Sequence, residues 1–418
     1  MDSRAPLRLG DISIIHVTDV HSYISGHRHG ESRVSTGYGE PWHGVDTAPQ
    51  DADYADLLAF VEHMKSQAAA EGKDLWVVNS GDVVDGTGIS NLSPVNGANL
   101  LPLLQQMPFD AVTIGNHELY SSSTVANMAS SGFIGHWGSA YVTSNIQSAD
   151  RSALTAGKTV GDPLGAAYTV LRGEFGRSIL VLGFLYNMDD HCDSVEVVHA
   201  EDAVVQPWFV EAMGAAADVD AVVVLSHMDL EATELATIRG AVRYHVGQDK
   251  PLCVSQSSTL VRVFLLGTAY SALFNDYDQL QPILTMNVPH RTFMAGHSHY
   301  RRFNVYDDRT AALESGNYFN TVGWISYDIP SSDSPLEYNV RMLDANKATL
   351  ESAATVPDGE VFLTERGASL REDLLSVRAS MGLDEVLGCS PVPVTMSPSS
   401  SIDMDDERSA WVRFSIPI

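Results

Sequence analysis

Residues 110–118 read Asp110-Ala111-Val112-Thr113-Ile114-Gly115-Asn116-His117-Glu118. The run up to Ile114 is apolar and β-branched, the composition of a buried strand. A glycine then lets the backbone turn sharply, and residues that bind metals or move protons follow. The same unit recurs along the chain. Ile12–Val17 leads to Asp19-Val20-His21, and Leu75–Val78 leads to Gly81-Asp82. Ala221–Leu225 leads to Ser226-His227, and Arg291–Ala295 leads to Gly296-His297-Ser298-His299. Ser178–Leu185 is a further strand-like run with no ligand type at its end.

Helical stretches lie between these strands. Tyr54–Glu71 carries Leu57, Leu58, Val61 and Met64 on one stripe, and Gly72 is placed to cap it. Asn99–Gln106, Val205–Ala217 and the charged Thr364–Gly382 also read as helices. Strands alternating with helices predict an α/β fold with a largely parallel sheet. In such a sheet, ligands bind beyond the carboxyl ends of the strands, where all five clusters fall. Residues 1–350 are expected to form the catalytic body. Residues 351–418 contain that charged helix and are too short for a second core of ordinary size.

The chain has 418 residues, 44% of them hydrophobic, enough for a sizeable core. Its formal net charge of −28 disfavours binding to a nucleic-acid duplex. The same charge repels an anionic substrate unless bound cations reverse the local field. Cys192, Cys253 and Cys389 are too few and scattered for a disulfide framework or a thiolate zinc site. No run has the length of a membrane-spanning helix. Met1–Gly10 lacks an apolar centre and reads as a polar lead-in, which taken literally gives a cytoplasmic chain.

The residue types point to hydrolysis of a phosphate ester. Two divalent cations a few Å apart deprotonate a water and clamp the transferring group. Asp82 suits a bridge between two ions, because Gly81 permits a tight turn beside it. Asp19 and His21 are two apart, so in an extended strand they share a face. His297 and His299 have the same spacing, and a turn there would split them between two ions. Asn116 and His227 then complete the set, and His117 is left to protonate the leaving alkoxide or stabilise phosphoryl charge. Each piece alone is commonplace in turns; the ordered set is not. Asp85 either supports a ligand or caps the next element. His27, His29 and His43 lie in a long polar loop, as solvated residues or at the site entrance.

These motifs resemble those of calcineurin-like metallophosphoesterases, and within them the 5′-nucleotidase branch. Thr113–Glu118, Tyr141-Val142-Thr143-Ser144-Asn145 and Glu314-Ser315-Gly316-Asn317-Tyr318 are similar to that branch's signatures. Val322-Gly323-Trp324 resembles a fungal-type, often vacuolar, subgroup of nucleotidase-like proteins. The resemblance implies a four-layer αββα domain with a dinuclear site. It implies Asp19, His21, Asp82 and His299 around one ion, and Asp82, Asn116, His227 and His297 around the other. It implies His117 as the catalytic histidine, and zinc, manganese, iron or other divalent ions as the metals. It also implies a small phosphate monoester as substrate, such as a nucleoside 5′-monophosphate, and a vacuolar or secreted location. A phosphodiesterase, a phosphoprotein phosphatase and a non-catalytic binding protein remain alternatives. The branch commonly follows Asn-His-Glu with Phe-Asp, whose Asp supports the catalytic histidine. Here Leu119-Tyr120 takes that place, leaving Glu118 as a weak substitute. Leu387–Pro391 resembles the opening of the branch's base-binding second domain, which then reads as cut short, so a permissive phosphatase is expected.

Overall fold

A computed structural model describes residues 7–27, 51–154, 157–246, 290–329, 335–354, 356–357 and 359–384. His29, His43, Cys253, Cys389 and the acidic run 403–407 lie outside the described residues. The strands are β1 (Ile12–Val17), β2 (Trp76–Asn79), β3 (Ala111–Val112), β4 (Ile146–Ser148), β5 (Tyr168–Arg172), β6 (Ser178–Leu185) and β7 (Val195–Val197). They continue with β8 (Ala221–His227), β9 (His290–Ala295), β10 (Arg301–Asp307), β11 (Thr310–Ser315), β12 (Thr321–Tyr327) and β13 (Asn339–Asp344).

Two sheets form the body. One has the order β13-β12-β1-β2-β3, the other β10-β11-β9-β8-β6-β5, and β4 pairs with β7 beside them. The sheets are mixed rather than largely parallel. β1, β2 and β3 run parallel, as do β6, β8, β9 and β11. β12 joins β1 antiparallel, and β13, β10 and β5 close their edges antiparallel. Hairpins join β5 to β6 and β10 to β11 without the helical crossover that parallel pairing needs, and β12 crosses from the second sheet to lie beside β1.

Period-2 alternation divides the strands between two environments. Ile12 and Ile14 of β1 meet Val181 of β6, Val223 of β8 and Met294 of β9 between the sheets. Ile15 and Val17 face outward onto helix Tyr54–Glu71. Leu180, Val222 and Val224 face the other way, onto helices Pro207–Ala215 and Thr233–Val246. The result is the expected four-layer αββα sandwich. A buried polar link crosses its middle: His16 is bonded to Ser80 Oγ at 2.9 Å, and Ser80 Oγ donates to the Met294 carbonyl at 2.8 Å.

Helix Tyr54–Glu71 forms where the apolar stripe places it. Asp53 caps its start by accepting from the Ala55 and Asp56 N–H groups, and Gly72 ends it at φ 66°. Helix Glu365–Ser380 lies in the same outer layer. Its Arg371 holds Asp53 at 2.8 Å and Asp56 at 2.6 Å, while Leu370 and Leu374 enter the core.

Candidate metal centre

β1, β2 and β3 of one sheet and β8 and β9 of the other all end at the same crevice. Register fixes the approach between the last two. Ser226 pairs with Ala295, and Gly296 N–H donates to the Ser226 carbonyl at 3.0 Å, which sets His227 beside the His297 loop. The loops after β1 and β2 are laced together by Asp19 N–H to Gly81 O at 3.0 Å and His21 N–H to Asp82 O at 2.9 Å.

Nine non-glycine residues among those described have left-handed backbone: Asp19, His21, Ser22, Asp82, Asp85, His297, His299, Tyr318 and Phe319. Each conformation costs about 1–3 kcal/mol and persists only where the surroundings impose it. Five of the expected metal ligands are in this set. The strain turns each side chain out of its strand direction and into the crevice. Glycines make room for it. A Cβ at Gly115 would collide with Asp82 Oδ1, and one at Gly296 with Thr18 Oγ1 and Asp19 Oδ2.

All seven expected ligands come together, in two connected groups. In the first, Asp19 Oδ1 lies 3.3 Å from His299 Nε2, and His299 Nε2 lies 3.4 Å from His21 Nε2. In the second, Asn116 Oδ1 lies 3.0 Å from both His227 Nε2 and His297 Nδ1. Asp82 Oδ2 stands between the groups, 3.1 Å from His227 Nε2 and 3.6 Å from His21 Nε2. Its other oxygen accepts the His117 backbone N–H at 2.9 Å. Asp19, Asp82 and His227 are fully buried.

The electrostatics ask for positive charge here. Burial disfavours the charged form of Asp82, yet His227, His117 and His21 hold its carboxyl well below the usual range. Burial likewise opposes ionisation of Asp19, but His227 and His299 bring it down to about 2. Burial pushes His21 down to about 3 and His297 to about 4, so both are neutral donors at ordinary pH. His227 is different. Burial lowers it, but Asp82 and Asp19 more than offset that and raise it to about 9. Its Nδ1 lies 2.8 Å from the Ser80 carbonyl and therefore carries a proton. Its Nε2 then faces two oxygens at 3.0 and 3.1 Å. In the metal-free chain a proton on Nε2 supplies the positive charge these oxygens call for, which is what raises the histidine. A divalent cation fits that demand and this mixed N/O donor set.

His117 lies beside the groups, edge-on to His21 with ring centroids 4.6 Å apart. Its orientation is not left to Glu118. Asp85 Oδ2 is 2.8 Å from His117 Nδ1, and Asp85 Oδ1 accepts from the Asn96 amide. Asp85 thus stands where the sequence offered no Asp after Asn-His-Glu. Glu118 has another task. It is buried and accepts N–H bonds from Asp82, Val83, Val84 and Gly115 at 2.7–3.1 Å, fastening the Asp82 turn to the Asn116 turn.

Sequence reasoning missed several neighbours. Tyr318 packs against His21 and His299, and Asn317 Nδ2 is 3.1 Å from His299 Nδ1. His27 is no solvated loop residue: it bonds the Tyr318 carbonyl at 2.7 Å and stacks on Tyr23. Tyr120 and Tyr186 border Asn116 and His297. The only sequence signal for Tyr120 was its place directly after Asn-His-Glu-Leu.

Known proteins resemble this chain in sequence and fold. A protein of Arthroderma benhamiae named a secreted protein is 25% identical, covering 94% of this chain and 56% of the relative. An uncharacterised Schizosaccharomyces pombe protein is also 25% identical, over 92% of this chain and 58% of its own length. The crystal structure of a 5′-nucleotidase from Candida albicans superposes with a TM-score of 0.70 at 23% identity, covering 90% of this chain and 59% of that one. The chain thus spans a little over half the length of these relatives. Among the described residues, no helix is long and apolar enough to cross a membrane. The calcineurin-like phosphoesterase profile matches residues 12–265, a stretch that holds Asp19, His21, Asp82, Asn116, His117 and His227. With strand-end placement, donor set and profile in agreement, the chain belongs to the calcineurin-like phosphoesterase family.

Proposed function

We propose that this chain is a phosphomonoesterase using two divalent cations, with nucleoside 5′-monophosphates as its substrates. One ion is assigned to Asp19, His21, Asp82 and His299. The other is assigned to Asp82, Asn116, His227 and His297. The observation that carries the reading is the His227 environment, where a ring nitrogen, the Asn116 carbonyl oxygen and the Asp82 carboxylate converge on one buried point that calls for positive charge. The nucleotide assignment is supported by the Candida albicans 5′-nucleotidase likeness in fold, and by the signature residues around Asn116 and Glu314.

When bound, the cations supply charge against the phosphoryl oxygens and acidify a water. The chain's own residues do the rest. Asp82 holds one oxygen between the two ligand groups and keeps the other on the His117 backbone. Asp85 fixes His117 through Nδ1, leaving Nε2 to hand a proton to the leaving oxygen. Glu118 keeps the two turns in register. Residues 1–350 are assigned as the catalytic body, with 351–418 leading into a second domain.

The test pairs elemental analysis with four substrates: AMP, p-nitrophenyl phosphate, a bis-aryl phosphodiester and a phosphopeptide. Two ions per chain and phosphate release from AMP are expected. No bound metal would defeat the two-ion reading; preference for the diester or phosphopeptide would defeat the substrate assignment.

A further inference from the structure

Asn116 poses a problem that its histidine neighbours do not. Its amide has two ends of nearly equal size, and only the oxygen can ligate a cation. A half-turn of the amide would aim an N–H group at the ion. Something must hold the amide in the ligating sense.

The structure offers a partner. Asn116 Nδ2 donates to the Tyr120 hydroxyl at 2.8 Å. The Tyr186 side chain lies close enough to Tyr120 for the two to interact electrostatically. The Tyr186 ring lies against the His297 ring, with centroids 4.4 Å apart and planes inclined at 31°. The Tyr186 backbone N–H donates to the His227 carbonyl at 3.1 Å. Two tyrosines therefore touch Asn116, His227 and His297, which is every assigned ligand of the second ion except the shared Asp82. Neither touches Asp19 or His299 in this way.

We infer that Tyr120 and Tyr186 form a brace that positions the ligands of the second ion, acting chiefly by fixing the Asn116 amide. Both are positioning residues. The inference rests on the two-ion reading above. Tyr120 is 45% exposed, so its presence is not explained by core packing. Its position replaces the residue that supports the catalytic histidine in the 5′-nucleotidase branch. Asp85 holds His117 at Nδ1, so His117 does not need the residue after Leu119 for that support.

The experiment uses the full chain and its Y120F and Y186F variants, which keep both rings and remove one hydroxyl each. Zn²⁺ and Mn²⁺ are titrated in competition with a chromogenic chelator. The expected result is an affinity loss of about 10-fold or more for one of the two ions, with the other unchanged. The thermal midpoint of the metal-free chain should stay the same, which separates positioning from folding. Asn116→Asp provides the decisive background, because a carboxylate presents an oxygen in either orientation. There the Y120F penalty should vanish. Wild-type affinity for both ions in both variants would overturn the brace, and so would a full penalty persisting in N116D. If the wild-type chain binds no second ion, the two-ion reading itself fails, a distinguishable result.

Discussion

Replacing Asp85 with Asn should cripple the chemistry without emptying the site. The substitution is nearly isosteric, but the surroundings dictate how the new amide lies. Ser90 Oγ donates to Asn96 Oδ1 at 2.5 Å, so the Asn96 amide nitrogen points at Asp85 Oδ1. An Asn at 85 must therefore turn its carbonyl to Asn96 and its NH₂ to His117 Nδ1. That arrangement opposes a proton on Nδ1 and so opposes the imidazolium form. A charge-assisted hydrogen bond of this kind contributes about 1.5–3 kcal/mol, which at ~1.4 kcal/mol per decade is a loss of roughly 10- to 150-fold in kcat. The pair is one-fifth exposed on both sides, which favours the lower part of that range. The assay compares AMP, whose leaving group is an alkoxide, with p-nitrophenyl phosphate, whose phenolate leaves without help. The loss should fall on AMP, with metal content unchanged, and D85N should add nothing to a His117→Gln variant. Equal losses on both substrates, or a D85N enzyme at wild-type kcat on AMP, would refute the dyad.

Two further outcomes follow from the site. In metal-stripped protein, His227 has a folded pKa of about 9 against an ordinary value of 6.5. A raised histidine contributes stability that is fully present below pH 6.5 and lost as pH rises through 9, on the order of 3 kcal/mol in all. Burial raises Glu118 to about 7 and Glu314 to about 8 from the ordinary value of 4.5, so their loss of the same sign runs from pH 4.5 upward and overlaps only the start of that window. Denaturant melts with chelator should show the decline and melts with divalent metal should not; a metal-free chain that gains stability from pH 6.5 to 9 would contradict the charge assignment. Gly296→Ala would press a Cβ onto Thr18 Oγ1 and within 2.7 Å of Asp19 Oδ2. It should cost about 1–3 kcal/mol of overpacking and displace Asp19 from its ion, read as lost metal retention; a variant with full metal content would show that the crevice yields.

Much of the site was legible because its parts are local. A strand and the candidate ligands at its end form one continuous stretch, in three of the five cases joined by a glycine, so Asp19, His21, Asp82, Asn116, His227, His297 and His299 could be picked out one after another. His117 was legible for the same reason. Asp85 was legible only as a supporting residue or a cap, because its partner His117 is 32 residues away in sequence. Its motif neighbour Glu118 looked nearer and proved to be tied to backbone N–H groups instead. Tyr186 carried no signal at all: nothing in Leu185-Tyr186-Asn187 says that its ring meets His297.

The sequence by itself determined which strands end in candidate ligands, since hydrophobic runs and glycine turns are properties of short segments. It also determined that helix Tyr54–Glu71 stops at Gly72. Tertiary structure alone decided that those strands belong to two sheets, and that the site lies across the crevice between them. Strand pairing is a choice among distant partners, and antiparallel additions such as β12 beside β1 leave no mark on the local pattern. The same holds for electrostatics. The high pKa of His227 comes from carboxylates gathered around one buried point, and that gathering exists only once both sheets have packed.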